Sequence, residues 1–170
     1  MTTSNPAPTT SPTEADTGTD TGFELETFLP FLLNKAAEAT SQAFQPAYRE
    51  GYGLTRSQWR VLAITGRYGA ITARDICAIA HEEKSKVSRA VSALTEAGHL
   101  TKALGQTDKR TEVLSLTEEG AALFEALGRS ALQFDRDLKT ALTPEKEAQF
   151  RALLSELETA LTARAGHKDS

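Results

Sequence analysis

Residues 83–100 read EKSKVSRAVSALTEAGHL, a run in which hydroxyl and cationic side chains are interleaved with small apolar ones. Arg and Lys can form paired hydrogen bonds to guanine, and Ser is short enough to bond a base edge or a phosphate without holding a helix off the duplex. Further on, GQTDKRTEVLSLT carries a second basic pair, Lys109 and Arg110, behind Asp108. This chemistry is recognition of a polyanion rather than group transfer. No nucleophile, base and orienting group stand at mutually sensible positions, and no phosphate-cradling Gly loop is present, so an enzyme is not expected. His81, His99 and His167 are too scattered to suggest a metal site, no cofactor is implied, and the single Cys77 excludes an intramolecular disulfide.

The elements around these residues decide whether they can act together. With Val87 as origin and about 100° per residue, Ala90, Val91 and Leu94 fall within about 60°, while Ser85, Arg89 and Ser92 point the opposite way. Lys86 and Ser88 flank the polar face. An inward apolar stripe thus leaves a Ser/Lys/Arg surface to meet a partner. The same cations can equally serve as a merely solubilising face. The charge distribution separates these readings: the net charge is −4, yet residues 55–111 hold 10 basic against 5 acidic side chains, a local +5. Electrostatic recognition follows the local field rather than the total.

Upstream, Leu25, Phe28, Leu32, Ala36, Ala39 and Ala43 mark one face of a helix, with regular structure starting near Thr27. Pro46, Gly51 and Gly53 bend or end it. LTRSQWRVLAIT opens with Thr55 and has Gln58 three positions on, a capping box, and its Trp59, Val61, Leu62 and Ile64 point to more than one side. Thr72 and Asp75 repeat the cap arrangement before ITARDICAIA, whose Ile76, Ile79 and Ala80 share a face. HEEK is a tight turn and Gly98 closes the polar-faced helix. HLTKALGQTDKRTEVLSLT is a hairpin with a polar tip. Thr117 caps the next helix, with its stripe of Leu123, Leu127, Ala131, Phe134, Leu138 and Leu142. Thr143 and Pro144 start the last, striped by Phe150, Leu153, Leu154, Leu157 and Leu161.

At 170 residues with 39% hydrophobic and 25% charged side chains, the composition is that of a soluble globular chain of about one ordinary domain. No stretch approaches the roughly 18 apolar residues that cross a bilayer, and the first residues lack the order of a signal peptide, so a cytoplasmic protein with no membrane partner is expected. Residues 1–22 hold almost no large apolar side chain and read as a disordered tail. Residues 23–54 then form an N-terminal helical arm, 55–117 a compact unit containing the basic helix and hairpin, 118–165 two C-terminal helices, and 166–170 a flexible end.

The order of elements and three motifs resemble the MarR family of bacterial winged helix-turn-helix transcriptional regulators. The motifs are LTRSQWRVLAIT, then ITARDICAIAHEEKSKVSRAVSALTEAGHL, then DKRTEVLSLTEEG, whose Asp-x-Arg and strand ending in Leu-Thr match the family wing. The resemblance covers roughly residues 25 to 163. It implies a mostly α fold with a small β wing: a winged helix-turn-helix DNA-binding domain with N- and C-terminal helical dimerisation regions. Ser85, Lys86, Ser88 and Arg89 fall on the recognition helix that enters the major groove of double-stranded DNA. Arg110 falls on the wing arginine that reaches the minor groove, Lys109 lies beside it, and Asp108 matches the acid that braces it. The sequence departs from the pattern at His81 and Glu82, where many members carry Gly and an apolar residue.

The resemblance further implies a homodimer formed through the first, fifth and sixth helices, burying Phe28, Leu32, Phe150, Leu154 and Leu157. A small aromatic or phenolic effector is the common theme, and Arg49, Tyr52, Arg56, Trp59 and Arg60 are its candidate pocket residues, cations for a carboxylate and aromatics to stack. The expected function is a repressor released from a palindromic operator by such a ligand. The alternatives are a constitutive DNA-binding protein without effector, or a thiol-based redox regulator using Cys77. A small apolar cysteine in the helix before recognition is the plainer reading of that residue.

Overall fold

The computed structural model describes residues 22–105 and 111–166. The chain divides into two units, residues 1–39 and 40–170. Helix α1 runs from Leu29 to Tyr52, α2 from Arg56 to Tyr68, α3 from Ala73 to Ala80, α4 from Lys84 to Glu96, α5 from Glu118 to Lys139 and α6 from Pro144 to Gly166. Three short strands, β1 (Ile71–Thr72), β2 (Leu100–Leu104) and β3 (Glu112–Leu116), form an antiparallel sheet in the order β1-β3-β2. The mostly helical fold with a small winged sheet that the motifs imply is therefore present.

In the first unit, a turn closed by the Thr27 amide on the Glu24 carbonyl precedes α1. The rings of Phe23 and Phe28 meet edge to face at 5.3 Å. Regular helix begins at Leu29 rather than near Thr27, which places Pro30 within the first turn, where its missing amide costs no ladder bond. Leu25, Phe28 and Leu32, three members of the apolar face read from the sequence, are exposed.

The second unit holds the core. Its α1 segment continues through Pro46 and Gly51, where the sequence suggests a bend or end, because aromatic burial on both sides of the proline outweighs one lost amide bond. Phe44 packs against Trp59 at 5.6 Å and Phe134 at 5.2 Å, and Tyr48 is buried. The Leu54 amide returns to the Tyr48 carbonyl at 3.0 Å and closes the helix. Val61 and Leu62 of α2, Ile76 of α3, Val87 and Leu94 of α4, Leu100 of β2, Leu114 of β3 and Leu127 of α5 make up most of the remaining core.

Several caps form as the sequence predicts. Thr55 accepts the Gln58 amide while Gln58 accepts that of Thr55 at 2.7 Å, a complete capping box. Thr72 accepts from Asp75 and Thr117 from Gly120. Strand β1 is not evident in the sequence, and two residues give no periodicity; its register, Ile71 opposite Leu114, is set by burial of both side chains. Ile79, expected to share the buried face with Ile76, is exposed instead. The α5 stripe is buried only at Leu123 and Leu127; Ala131 and Phe134 are half-buried, and Leu138 and Leu142 are exposed where the helix has passed beyond the core. No described helix is long and apolar enough to cross a membrane.

Candidate nucleic-acid interface

Helix α4 is positioned from inside. Val87, Ala90, Val91 and Leu94 are all buried, which fixes its rotation and leaves Ser85, Lys86, Ser88, Arg89 and Ser92 exposed. Its far end is a Schellman closure: the Gly98 amide bonds the Thr95 carbonyl, the His99 amide bonds the Leu94 carbonyl at 2.8 Å, and Gly98 adopts φ +78°, a value only glycine takes without strain. Leu100 is then buried at once as β2 begins, so α4 and the hairpin share one anchor.

The turn before α4 accounts for both departures from the family pattern. His81 caps α3 in the left-handed conformation, φ 50°, where many members have the glycine that takes it without strain. Glu82 folds inward, its side chain only 11% exposed, and its Oε1 accepts a hydrogen bond from Arg60 Nη1 at 3.0 Å. The same nitrogen lies 3.4 Å from the Ala80 carbonyl. The charge of Glu82 in the turn before α4 is thereby turned away from the surface and paired from α2.

A groove lies along each flank of α4. On the α2 side, Lys86 and Arg89 face Thr55, Ser57 and Gln58 across a space of about 390 Å³. On the other side, Lys84, Ser88 and Ser92 face Arg74 and Cys77 of α3 and Lys102 of the wing across about 420 Å³. Glu112, on the neighbouring strand, also lines this second groove and pairs with Lys102 at 3.0 Å. The guanidinium of Arg89 rests on its own helix, Nε donating to the Ser85 carbonyl at 3.3 Å. Swinging it outward therefore breaks one exposed bond.

The hairpin ladder extends one residue past the strands, the Gly105 amide donating to the Thr111 carbonyl at 2.8 Å. Asp108, Lys109 and Arg110 lie outside the described residues. Among the pocket candidates, Arg49 and Tyr52 are exposed near the end of α1 and Arg56 is half-buried at the start of α2. Trp59 packs on Phe44 beside the core, and Arg60 is engaged by Glu82. Both thus carry structural contacts that the sequence did not disclose. Phe28, Leu32, Phe150 and Leu154 are exposed and Leu157 is half-buried. Cys77 is half-buried and packs against the core. Sequence reasoning missed the Arg60–Glu82 pair, because the two residues stand 22 positions apart with no shared local pattern. It also passed over Arg74 and Lys102, which look like ordinary surface charges until α3 and β2 are placed beside α4.

A family model described as the MarR family matches residues 52–111, the stretch from the end of α1 to the start of β3. The chain is 30% identical over 104 residues to the HTH-type transcriptional regulator YwoH of Bacillus subtilis, covering 61% of this chain and 75% of that one. It is 26% identical over 128 residues to the homoprotocatechuate degradative operon repressor of Escherichia coli, covering 75% and 86% of the two chains. In three dimensions it is similar to a MarR family transcriptional regulator from Silicibacter pomeroyi, with a TM-score of 0.72 at 29% identity over 82% of this chain and 98% of that one. A helix-turn-helix whose cationic edge is held outward, a wing anchored to its end, and these likenesses together make the chain a member of the MarR family of transcriptional regulators.

Proposed function

We propose that the chain is a homodimeric, sequence-specific repressor in the cytoplasm that binds a palindromic operator and leaves it when a small aromatic or phenolic acid binds. The observation that carries the DNA-reading part is the rotation of α4: its four buried apolar residues oblige Ser85, Lys86, Ser88 and Arg89 to face outward. In this reading they enter the major groove, and Lys109 and Arg110, supported by Asp108, follow the backbone into the adjacent minor groove.

Two-fold pairing is supported by apolar side chains left open to water. Phe28 and Leu32 are exposed in the first unit, and Phe150 and Leu154 in the second. Such residues along long helices favour a second copy, and pairing through α1, α5 and α6 sets the reading helices about 34 Å apart, one turn of DNA. Release by an aromatic acid draws on the relative named as repressor of a homoprotocatechuate degradative operon. Arg49 and Tyr52, a cation and an exposed ring, suit a carboxylate and an arene, and Arg56 is the second cation. Trp59 and Arg60 then act by shaping the wall.

The test is selection of duplexes from a random-sequence pool, followed by footprinting and titration with a panel of aromatic acids. A protected inverted repeat with half-sites one turn apart, released by at least one acid, is the expected result. Equal binding to every duplex refutes the reading; protection that no acid disturbs removes the effector from it.

A further inference from the structure

The two grooves beside α4 have a consequence for how the duplex is held. Ser85 lies opposite the buried stripe, Arg89 stands between that crest and the α2-side groove, which it lines with Lys86, and Lys84 and Ser88 open onto the groove toward α3 and the wing. An α-helix with its side chains is about 10–12 Å across, and the major groove of B-DNA is about 12 Å wide. A helix lying in it fills the space from wall to wall, so each flank faces a phosphodiester strand. The residues on the far side of each flanking groove then meet those same strands from outside.

We infer that α4 is seated between two backbone cradles: Arg74 of α3, Lys84 at the start of α4 and Lys102 of the wing grip the phosphates of one strand, and Ser57 of α2 with Lys86 holds the other, leaving Ser85 and Arg89 to read bases. This rests on the major-groove reading proposed above and assigns roles within it. Arg74, Lys84 and Ser88 are exposed and line one continuous groove with Lys102, so their positive charge converges where a strand passes. Glu112 is the opposing charge in that groove. Its 3.0 Å pair with Lys102 holds the ammonium in place in the free protein, and a phosphate takes over that ammonium on binding. The wing strand thus contributes to the grip through its shaft as well as its tip.

Phosphate and base contacts differ in what they change. A lost phosphate contact weakens binding to every duplex alike and lowers the slope of log affinity against log salt by about 0.9. A lost base contact narrows the preference for the right sequence. The full-length protein is titrated, by fluorescence anisotropy over a range of salt concentrations, with a duplex selected from a random pool by the wild type and with a scrambled duplex of the same composition. Arg74→Ala and Lys102→Ala are expected to weaken both duplexes by the same factor and reduce the slope by about 0.9 for each protomer bound, with the specificity ratio kept. Arg89→Ala is expected to shrink the ratio. Glu112→Gln, which removes the competing carboxylate, is expected to tighten both duplexes, a gain that misfolding does not produce. Unchanged affinity and slope in Arg74→Ala and Lys102→Ala, or a collapse of their specificity ratio with the circular dichroism of wild type, overturns the cradle. A wild type that holds both duplexes equally overturns the major-groove reading itself, and the inference with it.

Discussion

Arg60 of α2 and Glu82 of the turn before α4 meet at 3.0 Å, and the same Arg60 nitrogen lies 3.4 Å from the Ala80 carbonyl, so one side chain ties α2 to the end of α3 and to the turn that launches α4. The partners are unequally buried, 37% exposed for Arg60 and 11% for Glu82. Removing the arginine strands a carboxylate away from water, whereas removing the glutamate leaves a guanidinium that water can reach. Arg60→Ala is therefore expected to lower unfolding stability by about 2–3 kcal/mol and Glu82→Ala by about 1 kcal/mol. The double variant is expected to be more stable than Arg60→Ala alone. Urea unfolding of the three variants checks the order, and equal losses contradict it.

Arg89 and Leu94 belong to the same helix and predict opposite phenotypes. Arg89→Ala deletes an exposed side chain, so thermal unfolding stays within about 0.5 kcal/mol of wild type while preference for the selected duplex falls by about 10- to 100-fold. Leu94 is fully buried, and Leu94→Ala is expected to cost about 2–5 kcal/mol. Its loss of DNA binding then tracks the unfolded fraction. Urea titration beside the binding assay distinguishes the two.

Arg110→Ala is expected to weaken operator binding by about tenfold or more with folding intact, if Arg110 reaches the minor groove as proposed. Unchanged affinity at moderate salt removes the wing tip from the mechanism.

Gly66 faces the ring of Phe124, and a Cβ added there would stand 2.6 Å from ring carbons. Gly66→Ala gains helix propensity on α2 but forces α5 outward, with a net loss of about 1–3 kcal/mol. A raised melting temperature would show that Phe124 yields without cost.

At the junction of α5 and α6, Lys139 lies 2.6 Å from Asp135 and 3.5 Å from Glu147, and Arg151 lies 2.8 Å from Glu147. The hydrogen bond from Lys139 holds the Asp135 carboxyl below its ordinary value, and that from Arg151 does the same for Glu147. Both carboxylates are thus more acidic folded than unfolded. Their stabilisation is full above the unfolded values, about 3.9 for Asp and 4.3 for Glu, and is lost as pH falls through the lower folded ones. Lys139 is raised by Asp135, so its share is full below its ordinary value and is lost only as pH rises past it, far into the alkaline range. The protection factor for hydrogen exchange at the α5–α6 junction, corrected for the intrinsic pH dependence of amide exchange, is expected to be flat from about pH 5 to 8 and to fall below about pH 4. A loss of protection near neutrality would point to a different group.

Pairing through the helical arms predicts that Phe150→Asp and Leu154→Asp together yield a monomer by light scattering, with helical content kept because both residues are exposed in the single chain. Operator affinity then falls steeply, since one half-site carries only part of the contacts. A dimer that survives both charges places the interface elsewhere.

The sequence by itself determined what is local. The rotation of α4 follows from an apolar period over Val87–Leu94, and the ends of α2, α3 and α5 follow from a Thr that bonds an amide three residues on. These depend on contacts within a turn or two of helix, so a single strand of letters contains them. The tertiary structure decided what joins distant residues: Ile71 across from Leu114, Glu82 drawn inward by Arg60, Ile79 left in solvent, and Arg74 and Lys102 facing Lys84 across one groove. Two strand residues, one half-buried ion pair and a charge on a wing shaft carry no period. Each takes its meaning from a neighbour brought up by the packing of the whole core.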